Sequence, residues 1–329
     1  MSAEAQERFQ TLHELVKAAR FKLNANIWDY LVGATETETT MRRNRAALDS
    51  IAFRPRVLRN VGRVDSSGDF LGRRIRLPVI LAPVGSLDSF EPGGAATAGR
   101  AAAAFGVPIM VSSVTEPGLE RSAEAVGDGP KVFQLYVRGG PDFVDDHVKR
   151  AMDSGYDAFA ITVDTAHYSR RERDIAKRFV KHWRARSTGM NHQAELSWTD
   201  IARFREKHPG VTLILKGIGT GEDAEIAVQH GVQVVYVSNH GGRQLDHGRE
   251  ARCAEQAEAG LHLVLQQFQH PPHPVLARGG QAVAIEPPYA DHLGAERDRL
   301  HQVRAAADPA IHPDARLAAD GLHHFRQHL

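Results

Sequence analysis

An α/β fold, in the form of a (β/α)8 (TIM) barrel preceded by an N-terminal helical segment, is predicted by three observations. Short, near-continuous apolar runs alternate with helical patterns between residues 78 and 237, as expected for parallel strands joined by helices. The runs end in polar residues, which is where barrels place their chemistry. The chain has 329 residues, enough for one large α/β domain of about 250 residues or more. Six βα units favour the barrel over an open doubly wound sheet, although its last two units are not recognisable.

In chain order, the first 50 residues carry helical stripes: Leu12, Leu15, Val16 and Ala19, then Ile27-Trp28-Asp29-Tyr30-Leu31. Residues 78–82 (Pro-Val-Ile-Leu-Ala) read as the first strand, and the Ala-rich stretch 94–105 as a helix. Strands follow at 108–113, 132–137 and 158–164, with helices at 119–126 and 142–154. Residues 170–193 are polar and basic and read as a loop over the barrel mouth. A helix at 198–207 precedes the fifth strand, 212–216. Thr220 and Asp223 form a capping-box-like start to the next helix, and Val234-Val235-Tyr236-Val237 is the sixth strand. The chain divides into an N-terminal helical segment (1–60), the barrel with strands one to six (61–248) and an atypical tail (249–329).

Composition excludes several classes. Lys plus Arg number 41 against 40 Asp plus Glu, so no global charge points to nucleic acid or an anionic membrane. The single cysteine, Cys253, excludes an internal disulfide and a multi-cysteine metal site and fits a reducing cytoplasm. No apolar signal core and no run of about 18 apolar residues is present, so no transmembrane segment is expected. Ten of the 18 histidines lie after Gly241. They lack carboxylates or cysteine in a ligand pattern, and no metal site is expected.

The strand ends bring chemistry together. Ser112 and Ser113, Gln134 and Tyr136, Thr162 and Asp164, Lys216, and then Ser238, Asn239, His240 and Arg243 close successive strands and would converge on one mouth. A lone strand Thr or Gln usually satisfies a neighbouring backbone group, and a lone Lys is usually a surface charge. The coincidence across five strands calls for a site. His240 is a base near neutral pH, and Arg243 offers a planar fork for a carboxylate. The pair suggests a small organic acid. Lys216-Gly217-Ile218-Gly219 lacks the full dinucleotide fingerprint.

These stretches, together with Trp28-Asp29-Tyr30, Phe53-Arg54-Pro55-Arg56, Leu81-Ala82-Pro83 and the signature Ser238 to Asp246 (SNHGGRQLD), resemble the FMN-dependent α-hydroxy-acid oxidase and dehydrogenase family. That family includes glycolate oxidase, lactate oxidase, mandelate dehydrogenase and the flavin domain of flavocytochrome b2. The resemblance covers residues 27–247. It implies FMN as cofactor and oxidation of an L-2-hydroxy acid to the 2-oxo acid. The electron acceptor is then oxygen, a quinone or a cytochrome, and relatives assemble as tetramers. It assigns His240 as the base, paired with Asp164, which would raise its pKa. Whether the base removes the Cα or the hydroxyl proton stays open. Tyr136 would bond the substrate oxygen, and Arg243, Arg171 and Tyr30 would hold the carboxylate. Lys216, Ser112, Gln134, Thr162, Ala82, Pro83 and Ser238 would contact the flavin.

Three departures stand out. Val114 follows Ser112-Ser113 where many relatives have Trp, Val84-Gly85 follow Pro83 where many have Thr-Ala, and the loop after Arg178 differs. A fourth, larger one lies past residue 249. There the seventh and eighth strands, whose Asp-Gly-Gly and Gly-Arg ends would hold the FMN phosphate, are not recognisable. Pro274-Val275-Leu276-Ala277-Arg278-Gly279-Gly280 is a displaced, weak substitute. The loss of pattern together with the rise in His reads as a disordered segment or as one produced by a frameshift near Arg249. Translating the other two frames tests the second origin. The alternative function is then an FMN-deficient, non-catalytic remnant of the family.

Overall fold

A computed structural model describes residues 9–180, 184 and 188–248. Residues 249–329, with the expected substitute phosphate segment and the origin of the tail, lie outside the described residues.

Three helices open the described chain: α1 (Leu12–Lys22), α2 (Ala25–Val32) and α3 (Thr39–Asp49). Thr11 starts α1 with a reciprocal capping box to Glu14, and Asn24 accepts the Ile27 N–H to start α2. A two-stranded hairpin, β1 (Gly68–Phe70) and β2 (Arg73–Ile75), follows a stretch without regular structure. The hairpin was not foreseen. Its turn, Leu71-Gly72, has positive φ at both positions, the geometry of a tight hairpin.

The main body alternates α4 (Gly94–Phe105), β3 (Ile109–Ser112), α5 (Leu119–Val126), β4 (Lys131–Leu135), α6 (Pro141–Asp153) and β5 (Ala158–Thr162). It continues with α7 (Glu172–Ala176), α8 (Asn191–Glu195), α9 (Trp198–Lys207), β6 (Leu213–Ile218), α10 (Gly221–Gln229) and β7 (Val234–Val237). The strands form one parallel five-stranded sheet in the order β3-β4-β5-β6-β7. Thr220 caps α10 by accepting the Asp223 N–H at 3.1 Å, as the sequence indicates.

Two expectations are corrected. Residues 78–82 are not a full strand: only Leu81 pairs, in a parallel bridge to Ile109. Pro78 and Pro83 bracket the run and supply no N–H. Among the described residues nothing pairs with its other edge. Residues 170–193 are not a bare loop, since they contain α7 and α8. Glu172-Arg173-Asp174 open α7, and Arg173 is anchored on Glu38 by a two-pronged contact at 2.7 and 2.6 Å.

The sheet separates two cores. Phe133, Leu135, Ile161, Leu213, Leu215 and Val235 face the helices. Met110, Val132, Ala158, Ala160, Ile214 and Val234 face inward, where Phe70 and Ile75 of the hairpin pack beneath them. Strand alternation then places Ser112, Gln134, Thr162 and Lys216 on the inward face, above that apolar layer. Elsewhere, the segment after α3 leaves Phe53 and Leu58 fully exposed.

Candidate active site

The inward face opens into a cavity of about 370 Å³. Nine of the residues singled out from sequence line it: Tyr30, Ala82, Pro83, Tyr136, Arg171, Lys216, Ser238, His240 and Arg243. Ser112, Gln134, Thr162 and Asp164 do not line it. The first three are buried, and Asp164 acts from behind His240.

His240 sits at the centre. Its Nδ1 lies 2.8 Å from Asp164 Oδ1 and its Nε2 lies 3.2 Å from the Tyr136 hydroxyl. A carboxylate only accepts, so Nδ1 carries the proton and Nε2 presents a lone pair. Burial pulls His240 below the ordinary histidine pKa, Asp164 raises it back in part, and Lys216 and Arg171 oppose that. Asp164 does raise the His240 pKa, as expected, but desolvation outweighs it and the net shift is downward. Burial also pushes the Tyr136 phenol well up, with Asp164 adding to it, so Tyr136 keeps its proton.

The backbone around His240 is specialised. His240 itself has φ 57°, and its N–H donates to Ser238 Oγ at 3.0 Å. Gly217 has φ +114°, and a Cβ there would lie 2.6 Å from Asp164 Cγ. Only glycine fits both the angle and the space.

The signature has a second job. Asp246 accepts from the Thr40 N–H at 2.7 Å, the Thr39 N–H at 3.1 Å and Thr37 Oγ1 at 2.8 Å, all at the start of α3. Burial alone would raise its carboxyl, but these donors hold it well below the usual range. Asn239 and Asn44 exchange amide hydrogen bonds at 2.8 and 3.0 Å. The sequence showed the motif but not that half of it clasps the N-terminal helices.

Arg243 caps the end of α2. Its guanidinium donates to the carbonyls of Tyr30 at 2.7 Å, Leu31 at 3.2 Å and Gly33. Arg243 and Arg171 stand 5.2 and 5.5 Å from the centre of the Tyr30 ring. Several lining residues were missed from sequence, among them Arg138, His167, Tyr168, Met190 and Gln193. Arg138 was legible by period: it follows Gln134 and Tyr136 at steps of two. The others come from residues 165–193, where no period operates.

On the cavity floor, Lys216 Nζ lies 3.5 Å from Ser238 Oγ. Burial pushes the Lys216 pKa down, with Asp164 pulling it up. Gln134 Nε2 donates to Thr162 Oγ1 at 2.8 Å, while Gln134 Oε1 is buried without a partner among the described residues. A buried amide oxygen without a donor and a buried cation beside one face of the cavity fit the N–H and carbonyl edge of an isoalloxazine.

Comparison with known proteins identifies the family. Residues 19–254 match the family model described as FMN-dependent dehydrogenase. Glycolate oxidase of Spinacia oleracea is 35% identical over 258 residues, 72% of this chain and 69% of that protein. Glycolate oxidase 1 of Oryza sativa subsp. indica is 35% identical over 251 residues, 70% and 68% of the two chains. The solved structure of mandelate oxidase matches with a TM-score of 0.69 at 34% identity, covering 79% of this chain and 77% of that one. A mandelate oxidase variant carrying an FMN adduct matches at a TM-score of 0.67 and 35% identity, over 77% and 75%. Fold and site thus define an oxidoreductase of the α/β TIM-barrel class. The chain belongs to the FMN-dependent dehydrogenase family, and FMN is its cofactor.

Proposed function

We propose that the protein oxidises an L-2-hydroxy acid to the 2-oxo acid, with His240 as the base. The observation that carries this reading is the Asp164–His240–Tyr136 relay at 2.8 and 3.2 Å on the wall of a cavity lined by arginines. Arg171, Arg243 and the Tyr30 hydroxyl hold the substrate carboxylate. Arg243 does so with the donors left over from α2, and its bonds there fix the guanidinium before substrate arrives. Tyr136 donates to the oxygen on the reacting carbon. His240 Nε2 takes a substrate proton, and Asp164 stabilises the imidazolium that results. FMN, held there, would supply the acceptor for the two electrons and for the second hydrogen lost as the hydroxyl carbon becomes a carbonyl. Lys216 supplies positive charge at the ring edge, with Ser112, Gln134, Thr162 and Ser238 as polar contacts and the Ala82-Pro83 backbone against the ring.

Val114 and Gly85 shape the side-chain end of the cavity, with Gly85 leaving room that a Cβ at 2.8 Å from Val114 Cγ2 would take. The acceptor that reoxidises the flavin is oxygen, a quinone or a cytochrome. The reaction runs in the cytoplasm, in keeping with one cysteine in 329 residues. Among the described residues no helix is long and apolar enough to cross a membrane.

The test is spectroscopic. The purified protein is titrated with FMN, and glycolate, L-lactate and L-mandelate are then added anaerobically. Loss of the visible flavin band with one of them, absent in His240→Ala, is the expected result. A His240→Ala protein that bleaches as fast as wild type would rule out the base assignment. A second reading is a family member that holds FMN too weakly to turn over. It is favoured by the open Leu81 edge of the sheet, since among the described residues no strand beyond β7 closes it. A protein that stays colourless at saturating FMN supports that reading.

A further inference from the structure

The oxidation proposed above leaves Tyr236 unused. It lies inside β7, among Val234, Val235 and Val237, and it lines the cavity. A β-branched residue would serve the strand equally well. The phenol adds a hydroxyl that the sheet itself does not need.

Register places that hydroxyl. Thr162 pairs with Lys216, and Lys216 pairs with Tyr236, so the three form one rung across β5, β6 and β7. Val235 enters the helix-side core, whereas Tyr236 packs on the inward layer with Val234, as strand alternation requires. From β4, Gln134 Nε2 donates to Thr162 Oγ1 at 2.8 Å. A polar row thus runs from Gln134 through Thr162 and Lys216 and ends on Tyr236. Lys216 Nζ stands 5.7 Å from the centre of the Tyr236 ring, a cation–π distance. That contact uses the face of the ring and leaves the hydroxyl to donate elsewhere. The hydroxyl makes no hydrogen bond to a described residue. Burial pushes the phenol pKa up, so the group stays protonated at neutral pH and is a donor. A phenol in such a place ordinarily has a partner.

Resting on the placement of Lys216 at the flavin edge, we infer that Tyr236 is a further cofactor-binding residue, whose O–H donates to the same polar edge of the isoalloxazine and whose ring steadies the lysine. That edge gains negative charge when the flavin is reduced, so a donor there favours the reduced form. A neutral donor adds this without a second buried cation beside Lys216, whose own charge burial already opposes.

The experiment measures FMN and riboflavin affinity by fluorescence titration, and the midpoint potential of the bound flavin by dye equilibration. Riboflavin reports the ring contacts apart from the phosphate. Tyr236→Phe removes the hydroxyl alone and keeps the ring in the sheet. It is expected to weaken both flavins by roughly 2–10-fold and to lower the midpoint potential, with the far-UV spectrum of wild type retained. Tyr236→Leu removes the ring as well and should weaken both further. Lys216→Met separates this inference from the reading it rests on. Weaker flavin binding in Tyr236→Phe but not in Lys216→Met leaves the phenol contact standing and removes the lysine from the edge. Weaker binding in Lys216→Met with wild-type affinity in Tyr236→Phe overturns the inference and keeps the lysine. A loss of affinity in Tyr236→Phe with no change in potential also overturns it, because Tyr236 would then only pack.

Discussion

Gly217→Ala perturbs a residue that lines no part of the cavity, yet it should disable the base. A Cβ at this position would lie 2.6 Å from Asp164 Cγ, 2.7 Å from its Cβ and 2.8 Å from its backbone N. Contacts this short cannot be relieved by a flexible tip, because two of the three atoms lie at the root of Asp164. The φ of +114° adds backbone strain on the order of 1–3 kcal/mol for a residue other than glycine. Asp164 must therefore back away from His240 Nδ1, now at 2.8 Å. Losing a hydrogen bond to a charged group costs about 1.5–3 kcal/mol, or roughly 10–100-fold in rate. His240 also loses a contribution that raises its pKa, so the acid limb of the kcat/KM profile moves to lower pH. The assay is anaerobic flavin reduction in a stopped-flow instrument across pH. Because both changes act through one bond, Gly217→Ala and Asp164→Asn should be strongly non-additive. A Gly217→Ala enzyme within threefold of wild type, or losses that simply multiply in the double variant, would refute the reasoning.

Three further outcomes are expected. His240 has its pKa lowered chiefly by burial and works as the neutral base, so activity should persist below the ordinary histidine value of about 6.5 and fall only at lower pH. A limb above that value, measured as kcat/KM against pH, contradicts the burial account. Asp246→Ala should destabilise the protein by about 2–4 kcal/mol in a urea melt, through two backbone N–H groups and a threonine hydroxyl left without their acceptor. Since its folded pKa is depressed, wild-type stability from this group is present above the unfolded carboxylate value of about 3.9. It is lost as pH falls through the lower folded value, and the variant should lack that dependence. Lys216→Met should weaken FMN binding roughly 10–100-fold in a fluorescence titration, and unchanged affinity would remove Lys216 from the flavin edge.

The helices and strands with strong period were legible. The spans 94–105 and 119–126 coincide with α4 and α5, because small or amphipathic runs bounded by glycine admit few other readings. The strand ends were legible too, because polar residues closing buried apolar runs have few bland explanations. What failed had causes that are not local. Residues 78–82 have strand composition, but a strand also needs a continuous ladder to a neighbour, and Leu81 alone is paired. The helix α7 carries an anchor, Arg173 on Glu38, whose partner lies far away in sequence. The lowered His240 pKa depends on burial, which a neighbouring Asp in sequence space cannot reveal. Arg243 capping α2 required knowing that α2 ends beside the signature.

The clasp between Asp246 and the start of α3 also sets a timetable. Residues 37–40 leave the ribosome about 200 residues before their acceptor. At ~5–20 residues per second, α3 waits on the order of 10–40 s for the aspartate that completes its first turn. The same wait applies to Asn44 and its Asn239 partner. During synthesis the N-terminal helices are therefore tenants without a lodging, and a chain released early, before residue 246, would carry every strand described here and still lack a seated α3.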